Sequence, residues 1–224
     1  MNARVKMIAI AAVASLAGSA ASADVVSGLF NTGVDASGVA LVGGDGTLDP
    51  HYLVGTSDLP GVNPGDPILT YYNGAYVADD ADSRWVSYSG SPFAGVGNFT
   101  AQTTFDLTGF DPLTAVITGD WGVDNEGEIF LNGVSTGITL TGIVADNFNV
   151  LHSFTISSGF VAGINTLSFA VFDGGSPAAV RLDNALLTAD PLAVGVPEAA
   201  TWAMMIAGFG LVGAAMRRRV ALAA

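Results

Sequence analysis

The chain has 224 residues, half of them hydrophobic, with no cysteine and a formal net charge of −13. The missing cysteine excludes disulfides, thiolate catalysis and cysteine-ligated zinc. Arg4, Lys6, Arg217, Arg218 and Arg219 sit at the ends, so the body between holds only Arg84 and Arg181 against a large excess of acids. Nucleic-acid binding, which needs a basic surface to neutralise phosphates, is thereby excluded.

The N-terminus places Arg4 and Lys6 before an apolar run over 7–16 and small residues over 17–23. This predicts a secretory signal peptide over 1–23, with Ala21 and Ala23 framing an Ala-x-Ala-like cleavage element. The Sec export machinery and signal peptidase are then the first partners, and Asp24 starts the mature chain.

The next half is irregular, with strands expected at 25–30, 52–54, 69–76 and 85–88 between Gly/Pro/Asp loops. The clearest strand covers 98–107. Phe99, Ala101, Thr103, Phe105 and Leu107 alternate there with Thr100, Gln102, Thr104 and Asp106, and a period of two puts each set on its own face. A further strand is expected at 114–118. Asn132-Gly133 then joins 128–131 to 134–140 as a β-hairpin. Strands at 151–157 and 165–172 follow, with His152, Phe154 and Ile156 sharing a face of the first and Leu167, Phe169 and Val171 a face of the second. A last strand is expected at 179–187.

No helical period is visible between the two ends. Many short strands joined by turns predict an all-β domain over 24–188, a two-sheet β-sandwich with jelly-roll topology favoured over immunoglobulin-like. Residues 189–196 read as a linker. Beyond it, 199–216 is uncharged and apolar and is followed at once by Arg217, Arg218 and Arg219. About 18 residues at 1.5 Å rise nearly cross a hydrocarbon core of about 30 Å, and arginines stay cytoplasmic. A transmembrane helix is expected there.

The run Val196-Pro197-Glu198-Ala199-Ala200-Thr201-Trp202-Ala203, with the apolar stretch and Arg217, Arg218 and Arg219 behind it, resembles the PEP-CTERM sorting signal in its Pro-Glu-Pro-x-x-Trp-Ala form. Ala199 stands where that family has its second proline. The resemblance covers 197–219 and implies an exosortase-type processing enzyme as partner. It also implies an exopolysaccharide-producing Gram-negative host and an inner-membrane-held precursor later moved to the cell surface or matrix. The same tail also goes under an ice-binding-protein C-terminal label, but the body lacks the regular Thr-x-Thr rows of an ice-binding face: Thr139 and Thr141 are the only such piece in their region.

The body, through 29–35, 49–52, 124–133 and 159–167, resembles galactose-binding-like jelly rolls. That likeness implies binding of sugars, proteins or calcium, or service as a spacer.

Two acidic clusters are candidate calcium ligands, Asp79 with Asp80 and Asp82, and Asp120 with Asp124, Asn125, Glu126 and Glu128. Calcium takes six to eight oxygens, and neighbouring carboxylates supply them; a solvated acidic loop is the plainer reading. Tyr71, Tyr72, Trp85, Tyr88 and Trp121 are candidates for a sugar-stacking platform, with Trp85, Tyr88 and Trp121 foremost, although aromatic residues also fill sandwich cores. His51 and His152 are far apart in sequence, and no nucleophile elbow or zinc-binding helix motif occurs. The expectation is a non-enzymatic exported envelope or matrix protein that binds or organises exopolysaccharide. A structural or adhesive spacer and a secreted glycan-active enzyme are the alternatives.

Overall fold

The computed structural model describes residues 23–91, 97–175, 177–192 and 199–221. The signal peptide up to Ala21 and the sorting residues Val196, Pro197 and Glu198 lie outside these residues, whereas Ala23 is exposed.

The domain is mostly β, as the period-two segments require. In chain order its elements are β1 (Asp24–Val25), β2 (Leu48–Ser57), β3 (Pro67–Thr70), β4 (Val86–Ser87), β5 (Phe99–Asp106), β6 (Val116–Asp124), β7 (Glu126–Leu131), β8 (Val134–Leu140), α1 (Val144–Asn149), β9 (His152–Ile156), β10 (Ile164–Phe172), β11 (Ala179–Ala189) and α2 (Ala199–Ala221). Every pairing is antiparallel. The order across the sheet is β8-β7-β10-β5-β2-β3-β4-β11-β6-β9, with β1 on β11.

This is one hydrogen-bonded path, where two separate sheets were expected. It is nevertheless sandwich-like, because strands far apart in the order face each other: Trp121 of β6 packs on Phe169 of β10 with ring centroids 6.0 Å apart. The bridge between the layers is β2, whose register shifts between Leu48 and Leu53 and again between Val54 and Ser57. Such irregularities bend a strand. The short β3 and β4 complete the turn from one layer to the other.

The core follows the alternation read from the sequence. Phe99, Ala101, Phe105, Leu167, Phe169 and Val171 are all buried between the layers. The hairpin turn also forms as expected: Asn132 and Gly133 take φ of 53° and 76°. Two successive positive φ values make the turn whose twist matches that of the flanking strands.

Three departures have local causes. The strand expected at 69–76 stops at Thr70, because Asn73 builds a turn in which its carbonyl accepts from Tyr76 N–H and its side chain from Ala75 N–H. The strand expected at 114–118 instead runs to Asp124, straight through Gly119-Asp120-Trp121-Gly122. A Cβ on Gly122 would lie 2.8 Å from the Trp85 ring, and one on Gly119 would lie 3.1 Å from the Asp183 carbonyl, so close packing and no turn requires these glycines. The short helix α1 lacks a sequence period and was not expected. It roofs a second small core of Tyr71, Tyr76, Trp85 and Ala179, which Phe148 and Leu151 close.

The C-terminal segment is helical, but its expected role as a membrane span is not borne out. Among the described residues no helix is long and apolar enough to cross a membrane. The large side chains of α2 are exposed all the same, Met204, Ile206, Phe209 and Leu211 among them.

Candidate functional site

The outward set of β5 lies on an open face. Gln102 stands opposite Ser168, Thr100 opposite Ala170 and Thr104 opposite Thr166. Ser168 in turn faces Phe130 of β7. Beside this row Gly55 of β2 carries no side chain; a Cβ there would lie 2.5 Å from Gln102 Oε1 and 2.6 Å from Thr100 Oγ1. The missing side chain keeps the floor of the face open.

The result is a groove of about 820 Å³. Its apolar surface comes from Phe130 and Phe172, the latter 41% exposed. Around them stand Thr100, Gln102, Ser168 and Asn132. Asn132 is fixed from both ends of its amide: Nδ2 donates to Asn165 Oδ1 and to the Gly159 carbonyl, each at 2.9 Å, and Oδ1 accepts from Thr166 N–H at 2.9 Å. Asp58 is the single carboxylate among the lining residues, and it accepts from Asn98 N–H and Nδ2 at 2.6 and 2.8 Å. Phenyl faces beside neutral donors and acceptors suit an uncharged, hydroxyl-rich ligand. The paired carboxylates of glycoside hydrolysis are not among the lining residues.

The proposed aromatic platform is corrected by this arrangement. Trp85 is 0% exposed and Trp121 1%. Trp85 packs on Tyr76 at 4.5 Å and donates from Nε1 to the Val77 carbonyl at 2.9 Å, beneath α1. Trp121 lies in the main core. Tyr88 sits edge-to-face on Phe99 at 5.0 Å, packed against that core. The three share no surface. Half-buried Phe130 and exposed Phe172 are the aromatics that line the groove, and neither was a platform candidate; each stands in an outward position of its strand, which was the available signal.

The first acidic cluster divides. Asp79 turns to Arg84 Nε at 3.1 Å and to Trp85 N–H at 2.9 Å. Asp80 and Asp82 instead join Asp183, with one oxygen from each within 4.8 Å of the others. Arg181, 1% exposed, pairs with both Asp80 and Asp183. The Asp82 carboxyl is held above its ordinary range by its hydrogen bond to Asp80 and by that neighbour's charge.

The second cluster does not form as expected. Asp120 and Asp124 are four positions apart on one strand, roughly 13 Å at about 3.3 Å per residue. Asp120 is engaged by Ser153 and, at 3.0 Å, by Asn184 Nδ2. Glu126 accepts from Gly142 N–H at 3.3 Å. Asp124 is buried and accepts from Tyr76 Oη at 2.8 Å and Asn125 Nδ2 at 2.7 Å. Burial, with the charge of Asp173 adding to it, pushes the Asp124 carboxyl up to about 6. Asp173, which lies just past β10, belonged to neither cluster.

The histidines take no part in a site. His51 stacks on Phe30 at 3.8 Å, and His152 Nε2 lies 2.9 Å from the Asp146 carbonyl.

A search of curated proteins finds no match to the chain. Among solved structures, the Stig cyclase Fisc from Fischerella sp. TAU, in complex with (3Z)-3-(1-methyl-2-pyrrolidinylidene)-3H-indole, is 17% identical with a TM-score of 0.45, over 76% of this chain and 99% of that one. The CBM36-1 domain of a multidomain xylanase from the hindgut metagenome of Trinervitermes trinervoides is 13% identical with a TM-score of 0.30, over 52% of this chain and 92% of that one. Residues 195–219 match the PEP-CTERM protein-sorting motif, so the chain carries that sorting signal behind its β-domain.

Proposed function

We propose that this is a non-enzymatic envelope or matrix protein, exported through its N-terminal signal, whose open groove binds a neutral segment of exopolysaccharide. The observation that carries the reading is the presence of two phenyl rings, half-buried Phe130 and exposed Phe172, beside the amide and hydroxyl side chains of Gln102, Asn132 and Ser168 in one groove. Phenyl faces take the apolar face of a pyranose, and neutral polar groups take its hydroxyls. The acid-rich body repels anionic polymers, which favours an uncharged chain.

The PEP-CTERM signal supports sorting to the cell surface by an exosortase-type enzyme. The exposed apolar side chains of α2 hold the precursor at the membrane until that step, since an apolar surface of this extent needs a cover. Glycan-array binding by the β-domain, compared with Phe130→Ala and Phe172→Ala, tests the groove. Binding that survives both substitutions overturns the assignment, and no binding to any glycan leaves the spacer role as the better reading.

A further inference from the structure

One buried group has its charge unanswered. The turn between β6 and β7 meets the segment after β10: Phe172 stands opposite Glu126, and Gly174 N–H donates to Asn125 Oδ1 at 2.9 Å. Asp173 follows directly and is 7% exposed, and Asp124 across the turn is 4% exposed. One oxygen of Asp173 accepts from Gly175 N–H at 2.8 Å. The other, Oδ2, is buried without a hydrogen-bond partner, the sole side-chain atom in that position among the described residues.

A buried carboxylate is normally paired with a cation, protonated or bound to a metal. No basic side chain is free to pair with this one. The β-domain has only Arg84 and Arg181, and both are engaged elsewhere. Arg84 holds Asp79 and the carbonyls of Leu41 and Gly43. Arg181 holds Asp80, Asp183 and Ser83.

Asp173 lines a pocket of about 590 Å³ with Asn98, Asn125, Glu126, Gly174 and Gly175. Its side-chain donors are carboxylate and amide oxygens, with neither imidazole nor thiolate. That set suits a hard cation with a large coordination number, calcium before zinc. We propose that a calcium-class divalent cation binds in this pocket, ligated by Asp173 and Glu126 with oxygens of Asn125 and Asn98, and supplies the positive charge that the β-domain itself lacks. The site stands apart from the cluster of Asp80, Asp82 and Asp183, where Arg181 already provides a cation. It is also independent of the glycan reading, although it shares Asn98 and Phe172 with the groove.

The test is thermal unfolding of the exported chain with EDTA and with about 1 mM CaCl₂. A ligand that binds only the native state raises the midpoint. The expected result is a rise of about 5 °C or more in wild type and in Asp82→Asn, and none in Asp173→Asn. Asp173→Asn removes an unanswered charge, so it is expected to fold at least as well as chelated wild type. Glu126→Gln, on a half-buried residue, provides a second variant and is expected to shrink the rise. Terbium luminescence sensitised through Tyr76 reports occupancy directly and is expected to vanish in Asp173→Asn. No rise in wild type, or a rise kept in Asp173→Asn and lost in Asp82→Asn, overturns the proposal.

Discussion

Phe130 of β7 stands directly across from Ser168 of β10 on the open side of the sheet, so a phenyl ring and a hydroxyl are presented together. Because the ring is not part of the core, its removal separates binding from folding. Phe130→Ala is expected to weaken glycan affinity about tenfold, a loss of roughly 1.4 kcal/mol, as for an aromatic anchor of a binding surface. The melting midpoint should move little. Affinity electrophoresis or calorimetry against the array hit gives the first number and a thermal melt the second.

Trp85→Ala and Trp121→Ala should behave in the opposite way. Both rings are fully enclosed, and truncating a buried Trp costs about 3–5 kcal/mol in lost transfer energy and cavity. Denaturant titration should show that loss for each. If either variant kept wild-type stability while losing glycan binding, the burial argument would fail and the original platform would return.

The inner faces of β5 and β10 were legible because strict alternation exposes a half-buried strand whatever its partners, and Asn132-Gly133 was legible because its turn chemistry is local. The course of β6 was not: Gly119 and Gly122 look like turn residues until Asp183 and Trp85 are seen lying against them. The groove was half legible. Thr100 and Gln102 were set on one face of their strand by its alternation, yet only the register of β5 on β10 sets Gln102 beside Ser168. The acidic clusters misled because carboxylates near in sequence point along different directions, whereas Asp80 and Asp183 meet across about a hundred residues through Arg181.

That meeting makes Arg181 a strong stability determinant. Its side chain is buried, and Asp183 is 5% exposed. Arg181→Ala leaves the Asp183 charge buried and unpaired, for which a loss of about 3–5 kcal/mol is expected. Removing both charges in Arg181→Met with Asp183→Leu should recover most of the loss, since the uncompensated charge and not the missing contact carries the cost. Chemical denaturation of the two variants, compared at one pH, separates these contributions.

Asp49 gives a pH-dependent case. It is 1% exposed and accepts from Gly33 N–H at 2.6 Å and His51 N–H at 2.8 Å. Burial raises its carboxyl above the ordinary 3.8, and those hydrogen bonds only partly offset the rise. A folded pKa above the unfolded one means that the native state holds the proton more tightly. Stability from this group is therefore full below the unfolded value and is lost as pH rises through the folded one. Asp49→Asn removes that dependence but turns an amide NH₂ towards a backbone N–H, costing about 1–3 kcal/mol. The variant should be clearly less stable than wild type in acid, and the gap should narrow as pH rises. A gap that widens with pH would show that the carboxylate is stabilised by its site, contrary to the assigned direction.

The sorting signal can be probed at Ala199, the position at which the motif departs from its usual proline. Ala199 is the first residue of α2 that the structure describes. Ala199→Pro brings the motif to its full form. In cells with an active processing enzyme, mature chains lacking the tail should accumulate faster from Ala199→Pro than from wild type. Trp202→Ala, at a 52% exposed residue of the motif, should accumulate the precursor instead. Intact-mass measurement of each cell fraction distinguishes the species, and equal processing of all three chains would show that recognition does not pass through these residues.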